Sequence, residues 1–315
     1  MAIHYRPDGD HVVVITIDRP EARNSADAAH FRDLRAAWER FAADDDARVA
    51  IVTGVGDTFF TGADLKRYMP EVQALRRAMA ETGADAVDGC RPDDAFAAVL
   101  RGVPLYKPVV AAVNGFCVGA GMEMLGGIDL RLACPEASFA VMEPKRGIIA
   151  SGGTTVRLPR QIPWALAMEM LLCADLVPAS RALEMGLLNA VVPRNDLMGA
   201  AREYAGRIAV NAPLSVRGTK ESALRALYAD VEQVARVREA AASLVRLIET
   251  VRPEDPGSTR FALAVAAEVL EGLGRDLQSG FDIESSVSAW VVASDDAREG
   301  PAAFAEKRPP QWHNR

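Results

Sequence analysis

Short apolar, largely β-branched runs punctuate the first two-thirds of the chain: "HVVVITI" (11–17), "RVAIVTG" (48–54) and "PVVAAVN" (108–114). Each is bounded by turn residues and predicts a buried strand. Between the first two, Phe31, Leu34, Trp38 and Phe41 fall on one helical stripe, predicting a helix from about Asp27. "DLRLAC" (129–134) and "SFAVM" (138–142) predict two further short strands. Strands alternating with helices argue for an α/β core over residues 1–195. From 196 to 315 the spacing turns helical, with Leu244, Leu247, Ile248 and Val251 on one stripe and Phe261, Val265, Leu273 and Leu277 on another. Pro253, Pro256 and Gly257 predict a loop between those stripes, and the polar stretch 67–94 predicts a helix followed by a loop.

Composition narrows the class. The 315 residues are half apolar and carry a net charge of −7, which suits a globular chain and not a nucleic-acid surface. The first twenty residues lack the basic and uninterrupted apolar parts of a signal peptide. The most apolar run, "PVVAAVNGFCVGAGMEMLGG", is broken by Asn114 and Glu123 and makes a poor membrane span. Of four cysteines, Cys117, Cys134 and Cys173 sit among apolar neighbours, and none shows metal spacing. Buried free thiols in a reducing cytoplasm are expected, with no metal, membrane or nucleic-acid partner.

The candidate chemistry lies where that pattern is violated. Glu123 in "VGAGMEMLGG" and Glu143 in "SFAVMEPKRG" each set a carboxylate in an apolar run, where ionisation is costly. Glycines precede the first, yet Met124 occupies the third glycine position of a dinucleotide fingerprint, and no phosphate-binding P-loop occurs. Gly119 and Gly121 can instead leave the first amides of a new helix unpaired, with residues 120 and 123 on one face. Gly62 in "FFTGADL" can likewise expose the Ala63 amide. Each feature also has an ordinary reading: close helix packing, a turn capped by Asp64, and ion pairing of Glu143 with Lys145 or Arg146.

Several motifs in order, "FFTGADLK", "KPVVAAVNGFCVGAGMEM", "SFAVMEPKRGII", "RLPRQI" and "DDAREGPAAFAEKRPPQW", resemble the crotonase (enoyl-CoA hydratase/isomerase) family. The resemblance implies a spiral of ββα units with a helical C-terminal region that builds trimers, often paired into hexamers. It implies a thioester enolate held by the amides of Ala63 and Ala120. As in the family's hydratase branch, Glu123 and Glu143 would flank the acyl double bond. Arg23, the "GADLK" residues Gly62, Asp64, Leu65 and Lys66, and Phe304 with Lys307 resemble CoA-contacting positions, the last two reaching a neighbouring subunit's ligand. An acyl-CoA is then the substrate, and no separate cofactor is called for. The chain departs from the family in Ala150 and Ser151, where Pro-Gly is usual, and in longer 67–94 and 250–282 segments. An isomerase, a lyase or hydrolase of a bulkier acyl group, and a non-catalytic thioester binder stay open as alternatives to a hydratase.

Overall fold

The continuous apolar runs become strands covered on both faces. In the computed structural model, which describes residues 2–228 and 295–308, Val49–Val52 of β3 (Val49–Gly54) and all of β5 (Val109–Val113) are buried. They lie in a six-stranded sheet with β1 (Ala2–Pro7), β2 (Val12–Asp18), β7 (Leu130–Ala133) and β10 (Ala190–Val191), in the order β1-β2-β3-β5-β7-β10. Only the β1–β2 pair is antiparallel.

A second sheet takes the shorter runs: β4 (Thr58–Phe60), β6 (Phe116–Val118), β8 (Ser138–Ala140) and β9 (Val177–Pro178), in that spatial order. The chain alternates between the sheets, β3 to β4, β5 to β6 and β7 to β8, with helical segments before each return to the first. This is the expected ββα spiral. Two asparagines lock the crossings: Asn114 donates to the Gly56 and Thr58 carbonyls, and Asn24 to those of Val55 and Thr58. Gly115 is required there because any Cβ would run into the Asp57 backbone.

Helix α1 (Ala28–Ala43) buries the expected stripe of Phe31, Leu34, Trp38 and Phe41. Asp27 caps it, accepting from the His30 amide. The 67–94 stretch contains α2 (Tyr68–Thr82) and leads into α3 (Asp94–Ala98), on whose Ala98 carbonyl the Trp38 indole donates at 2.9 Å. Helix α4 (Ala120–Leu125) follows β6, and α5 (Thr154–Gln161), α6 (Trp164–Met168) and α7 (Ala179–Glu184) lie between β8 and β10. Beyond β10, α8 (Leu197–Ala209) lays Leu197, Ala201, Ala205 and Ala209 against the first sheet, a small-residue row at four-residue spacing that permits close approach. The two apolar stripes at 244–277, and the longer 250–282 segment, lie outside the described residues.

One burial expectation fails. Cys117 and Cys134 are buried, but Cys173 is exposed and Cys90 half-buried. Cys173 ends a π-helical turn, Glu169–Cys173, that presents this end to the surface, and the adjoining Leu172 is 72% exposed. Contacts divide the chain into Met1–Lys220 with Ser286–Arg315, and Glu221–Ser285; every site residue below belongs to the first.

Candidate functional site

Strands β4, β6 and β8 are neighbours and run parallel, so their carboxyl ends share one edge. In open α/β sheets that edge is where ligands bind. The chain leaving β4 carries Gly62 and Ala63, that leaving β6 carries Gly119 and Ala120, and that leaving β8 reaches Glu143. Sheet topology therefore gathers residues 80 apart in sequence (143 − 63).

The first two turns touch. Gly62 adopts φ +87°, and a Cβ on it would stand 2.8 Å from the Ala120 amide nitrogen. No other residue meets both demands. Ala63 forms a parallel bridge with Ala26, in which the Ala26 amide donates to Gly62 at 2.8 Å and the Asp64 amide to Ala26 at 2.7 Å. Those two bonds use the groups flanking Ala63, whose own N–H therefore faces away from Ala26. Gly119, at φ +57°, starts α4 after its amide donates to the Ala140 carbonyl. Ala120 is then the first residue of the helix and its amide has no intrahelical acceptor. Neither the Ala63 nor the Ala120 amide has a hydrogen-bond partner among the described residues. Two adjacent unpaired donors, one at a helix start, favour an oxygen that gains negative charge.

One carboxylate comes from α4 and the other from the turn after β8. Glu123, on the first turn of α4, is buried, and one oxygen accepts from the Gly152 amide at 2.5 Å. Gly152 leaves no room for a side chain, since a Cβ would collide with the carboxylate it serves. The Glu123 carbonyl accepts from Arg157 at 3.1 Å, and the same guanidinium donates to the Val99 and Leu100 carbonyls. Glu143 is also buried, and its Oε2 has no hydrogen-bond partner. Its Oε1 comes within 3.8 Å of where a Gly119 Cβ would stand. Burial pushes the Glu143 carboxyl up to about 7, and a hydrogen bond from its own backbone offsets only part of that rise.

The ion pair that would have made Glu143 ordinary does not form. Lys145 pairs with Asp175, and Arg146 lies 4.4 Å over the Phe304 ring. The Glu123 side chain accepts from the Gly152 amide, in a different loop from its own helix. Asp64 does cap its turn, one carboxylate oxygen accepting from the Lys66 amide at 3.3 Å while the other meets Arg19 at 3.1 Å; α2 itself starts without a side-chain cap from Arg67.

The remaining expected residues lie around this edge. Arg23 is exposed in a left-handed conformation, and its carbonyl accepts from the Thr61 hydroxyl at 2.7 Å, beside the Gly62 turn. Leu65 is half-buried and Lys66 exposed in the segment before α2. Phe304 lies on a helix spanning Asp295–Glu306 that packs on Pro144–Arg146 of the same chain, and exposed Lys307 follows it. Phe304 is therefore near Glu143 within one chain.

Sequence reasoning missed Gly152, Arg157 and Tyr68. The Tyr68 ring packs edge-on against Phe31 with centroids 4.9 Å apart. Burial, with the Glu123 charge adding, raises its hydroxyl to about 12. Tyr68 thus stays protonated, within reach of the Glu123 charge. A buried arginine inside the quoted "RLPR" motif was the one available signal for Arg157. Nothing local marks Gly152 or Tyr68.

The architecture, two sheets linked by a ββα spiral with free amides at one edge, is the crotonase fold. A profile described as Enoyl-CoA hydratase/isomerase matches residues 8–262. An enoyl-CoA hydratase of Mycobacterium tuberculosis is 33% identical over 97% of this chain and 94% of its own length. An (E)-benzylidenesuccinyl-CoA hydratase of Thauera aromatica is 38% identical over 68% of this chain and 79% of its own. A crystal structure of a carnitinyl-CoA hydratase from Mycobacterium avium superposes with a TM-score of 0.72 at 32% identity, covering 100% of this chain and 99% of that one. The chain belongs to the enoyl-CoA hydratase/isomerase family. Within it, the chain is of the CoA-thioester hydratase/dehydratase class. Among the described residues no helix is long and apolar enough to cross a membrane.

Proposed function

We propose that this chain is an enoyl-CoA hydratase, adding water across the 2,3 double bond of a 2-enoyl-CoA. The observation that carries the reading is the pair of buried carboxylates beside two unpaired amides. The thioester oxygen sits on the Ala63 and Ala120 amides. Glu123, ionised and oriented by Gly152, takes a proton from water as the oxygen bonds to the β-carbon. The double-bond electrons move onto the thioester, whose oxygen gains the charge that the amides hold. Glu143, protonated, then delivers its proton to the α-carbon. Glu123 ends with a proton and Glu143 without one, and exchange with solvent resets the pair. An isomerase needs only one of these groups, and the anchoring of Glu123 by Gly152 and Arg157 favours the two-carboxylate reaction.

Arg23, Gly62, Asp64, Leu65 and Lys66 make up the CoA-binding side of the edge, with Phe304 and Lys307 reaching the CoA of a neighbouring subunit. The acyl group points toward α2, where Tyr68 offers a neutral hydroxyl. Relatives named for benzylidenesuccinyl-CoA and carnitinyl-CoA support polar or aromatic acyl groups alongside simple chains. The test is a panel of 2-enoyl-CoA esters of all three kinds, followed by loss of the conjugated-thioester absorbance. Turnover of none would overturn the reading. The chain also forms a trimer or hexamer, as the family resemblance implies, with Trp164 (67% exposed) and Leu172 (72%) among the apolar residues available to a contact. Sedimentation showing only a 33.8 kDa species would reject this.

The Glu143 shift sets one pH dependence shared by both directions, because hydration takes up no net proton and the ratio of the two kcat/KM values cannot change with pH. Hydration needs Glu143 protonated, so its kcat/KM should fall about tenfold per pH unit above roughly 7. Dehydration of the 3-hydroxyacyl-CoA starts from the same singly protonated pair, with the proton on Glu123, so its kcat/KM should fall above roughly the same pH. Initial rates in both directions from pH 5.5 to 9 check this, and a flat hydration profile above neutrality would exclude Glu143 as the acid.

A further inference from the structure

The Gly152 amide that serves Glu123 is one end of a peptide group whose other end is also held. The Ser151 carbonyl, joined to the Gly152 nitrogen in that peptide, accepts from Arg101 at 2.6 Å. A trans peptide points its C=O and N–H in opposite directions. Arg101 therefore pulls on one end while the Glu123 carboxylate receives the other. The Arg101 guanidinium is itself fixed by stacking 4.5 Å over the Phe96 ring, and the Arg101 amide donates to the Phe96 carbonyl at 2.8 Å.

These bonds close a ring. Glu123 accepts through its side chain from Gly152, and through its carbonyl from Arg157. Arg157 also holds the Val99 and Leu100 carbonyls, immediately before Arg101. Leu100 is kept at φ +61°, a left-handed conformation that a branched residue adopts only when its surroundings require it. The ring therefore runs from the Glu123 carboxylate through the 151–152 peptide, Arg101, residues 99–100 and Arg157, and back to the Glu123 backbone. A cation on the peptide carbonyl polarises the group and strengthens its N–H as a donor.

We propose that Arg101 is a positioning residue for Glu123, holding the Ser151–Gly152 peptide so that its N–H stays aimed at the carboxylate. The catalytic consequence rests on the reading of Glu123 as the group that activates water; the positioning itself does not. Ala150 and Ser151, standing where relatives carry Pro-Gly, lie in the strap that Arg101 restrains.

Two measurements test the inference independently. Labelling serine at the carbonyl carbon with ¹³C and glycine with ¹⁵N selects Ser–Gly pairs by NMR, of which the sequence has two, 151–152 and 279–280. The Gly152 signal is the one that moves in Glu123→Gln. In Arg101→Met its amide proton should shift upfield, and Arg101→Lys should restore part of the shift. An unmoved signal in a folded Arg101→Met protein would overturn the proposal, whether or not the protein hydrates any substrate. In an active enzyme, Arg101→Met should lower kcat roughly 10–100-fold, the weight of a hydrogen bond to a charged group, with KM for the acyl-CoA within about twofold. Added guanidinium ion should recover part of the lost rate. Placed on Glu123→Gln, Arg101→Met should cost little more, because both act through one group. A raised KM at unchanged kcat would make Arg101 a CoA ligand and end the proposal.

Discussion

Glu123→Gln and Glu143→Gln should each lower hydration by roughly 10²–10⁴-fold, the usual weight of a positioned base or acid. The structure makes the substitutions clean. Gln at 123 keeps a carbonyl oxygen for the Gly152 amide, so the loss measures basicity and not geometry. Gln at 143 replaces a carboxyl whose Oε2 bonds to nothing, so no partner is stranded. The double variant should lie close to the worse single one, since on the proposed mechanism the carboxylates divide one reaction between them. Hydration at the parent rate in either single variant would remove the two-carboxylate mechanism.

Glu143→Gln carries a second signature, in stability. The folded carboxyl titrates near 7, above its ordinary range near 4.5, so the native state keeps its proton at pH values where the unfolded chain has lost it. Stability is therefore eroded as pH rises from about 4.5 to 7, by an amount on the order of 2–3 kcal/mol. Gln does not titrate. The melting temperature of the variant relative to the parent should climb across that window and then level off. A pH-independent difference would mean that Glu143 is not held protonated by burial.

The second large effect is expected at a residue with no side chain. Gly62→Ala should lower kcat by roughly 10²–10³-fold, the cost of losing an oxyanion donor. The new methyl would stand 2.8 Å from the Ala120 nitrogen on a backbone at φ +87°, so the two turns must separate or twist. The added strain should cost about 1–3 kcal/mol of stability. Circular dichroism establishes that the variant folds before rates are compared. Ala120→Gly, which keeps the amide, should stay within a few-fold of the parent. A folded Gly62→Ala protein with full activity would rule out the paired amides as the enolate-holding group.

What the sequence disclosed follows from which interactions are periodic. β2, β3, β5 and the α1 stripe were legible because burial on a sheet or helix face imposes a repeat on the residues themselves. Glu123 and Glu143 were legible as violations of that repeat. The split into two sheets was not, since β4, β6 and β8 are three residues each and carry too little pattern to reveal a change of partner. The fixing of Glu123 was hidden for another reason. Gly152, Arg157 and Arg101 act through backbone groups 29 or more positions away or through a shared peptide, and a carbonyl acceptor leaves no mark on side-chain identity. Cys173 was misjudged because "MEMLLCADL" is as apolar as a core segment, although the π-helical turn carries Leu172 and Cys173 outward.

The donors at 63 and 120 are main-chain groups, so their inheritance is indirect. Any residue except proline supplies the same N–H, and a saturation scan should score both positions as permissive within the steric limits of the edge. The intolerance should appear instead at Gly62 and Gly119, whose positive φ favours glycine, and at Gly152, where a Cβ would meet the Glu123 carboxylate. A scan that ranks positions by sensitivity would credit those glycines with structure and overlook the two alanines. On the proposed mechanism, both enolate-holding donors are encoded one residue upstream of where they act.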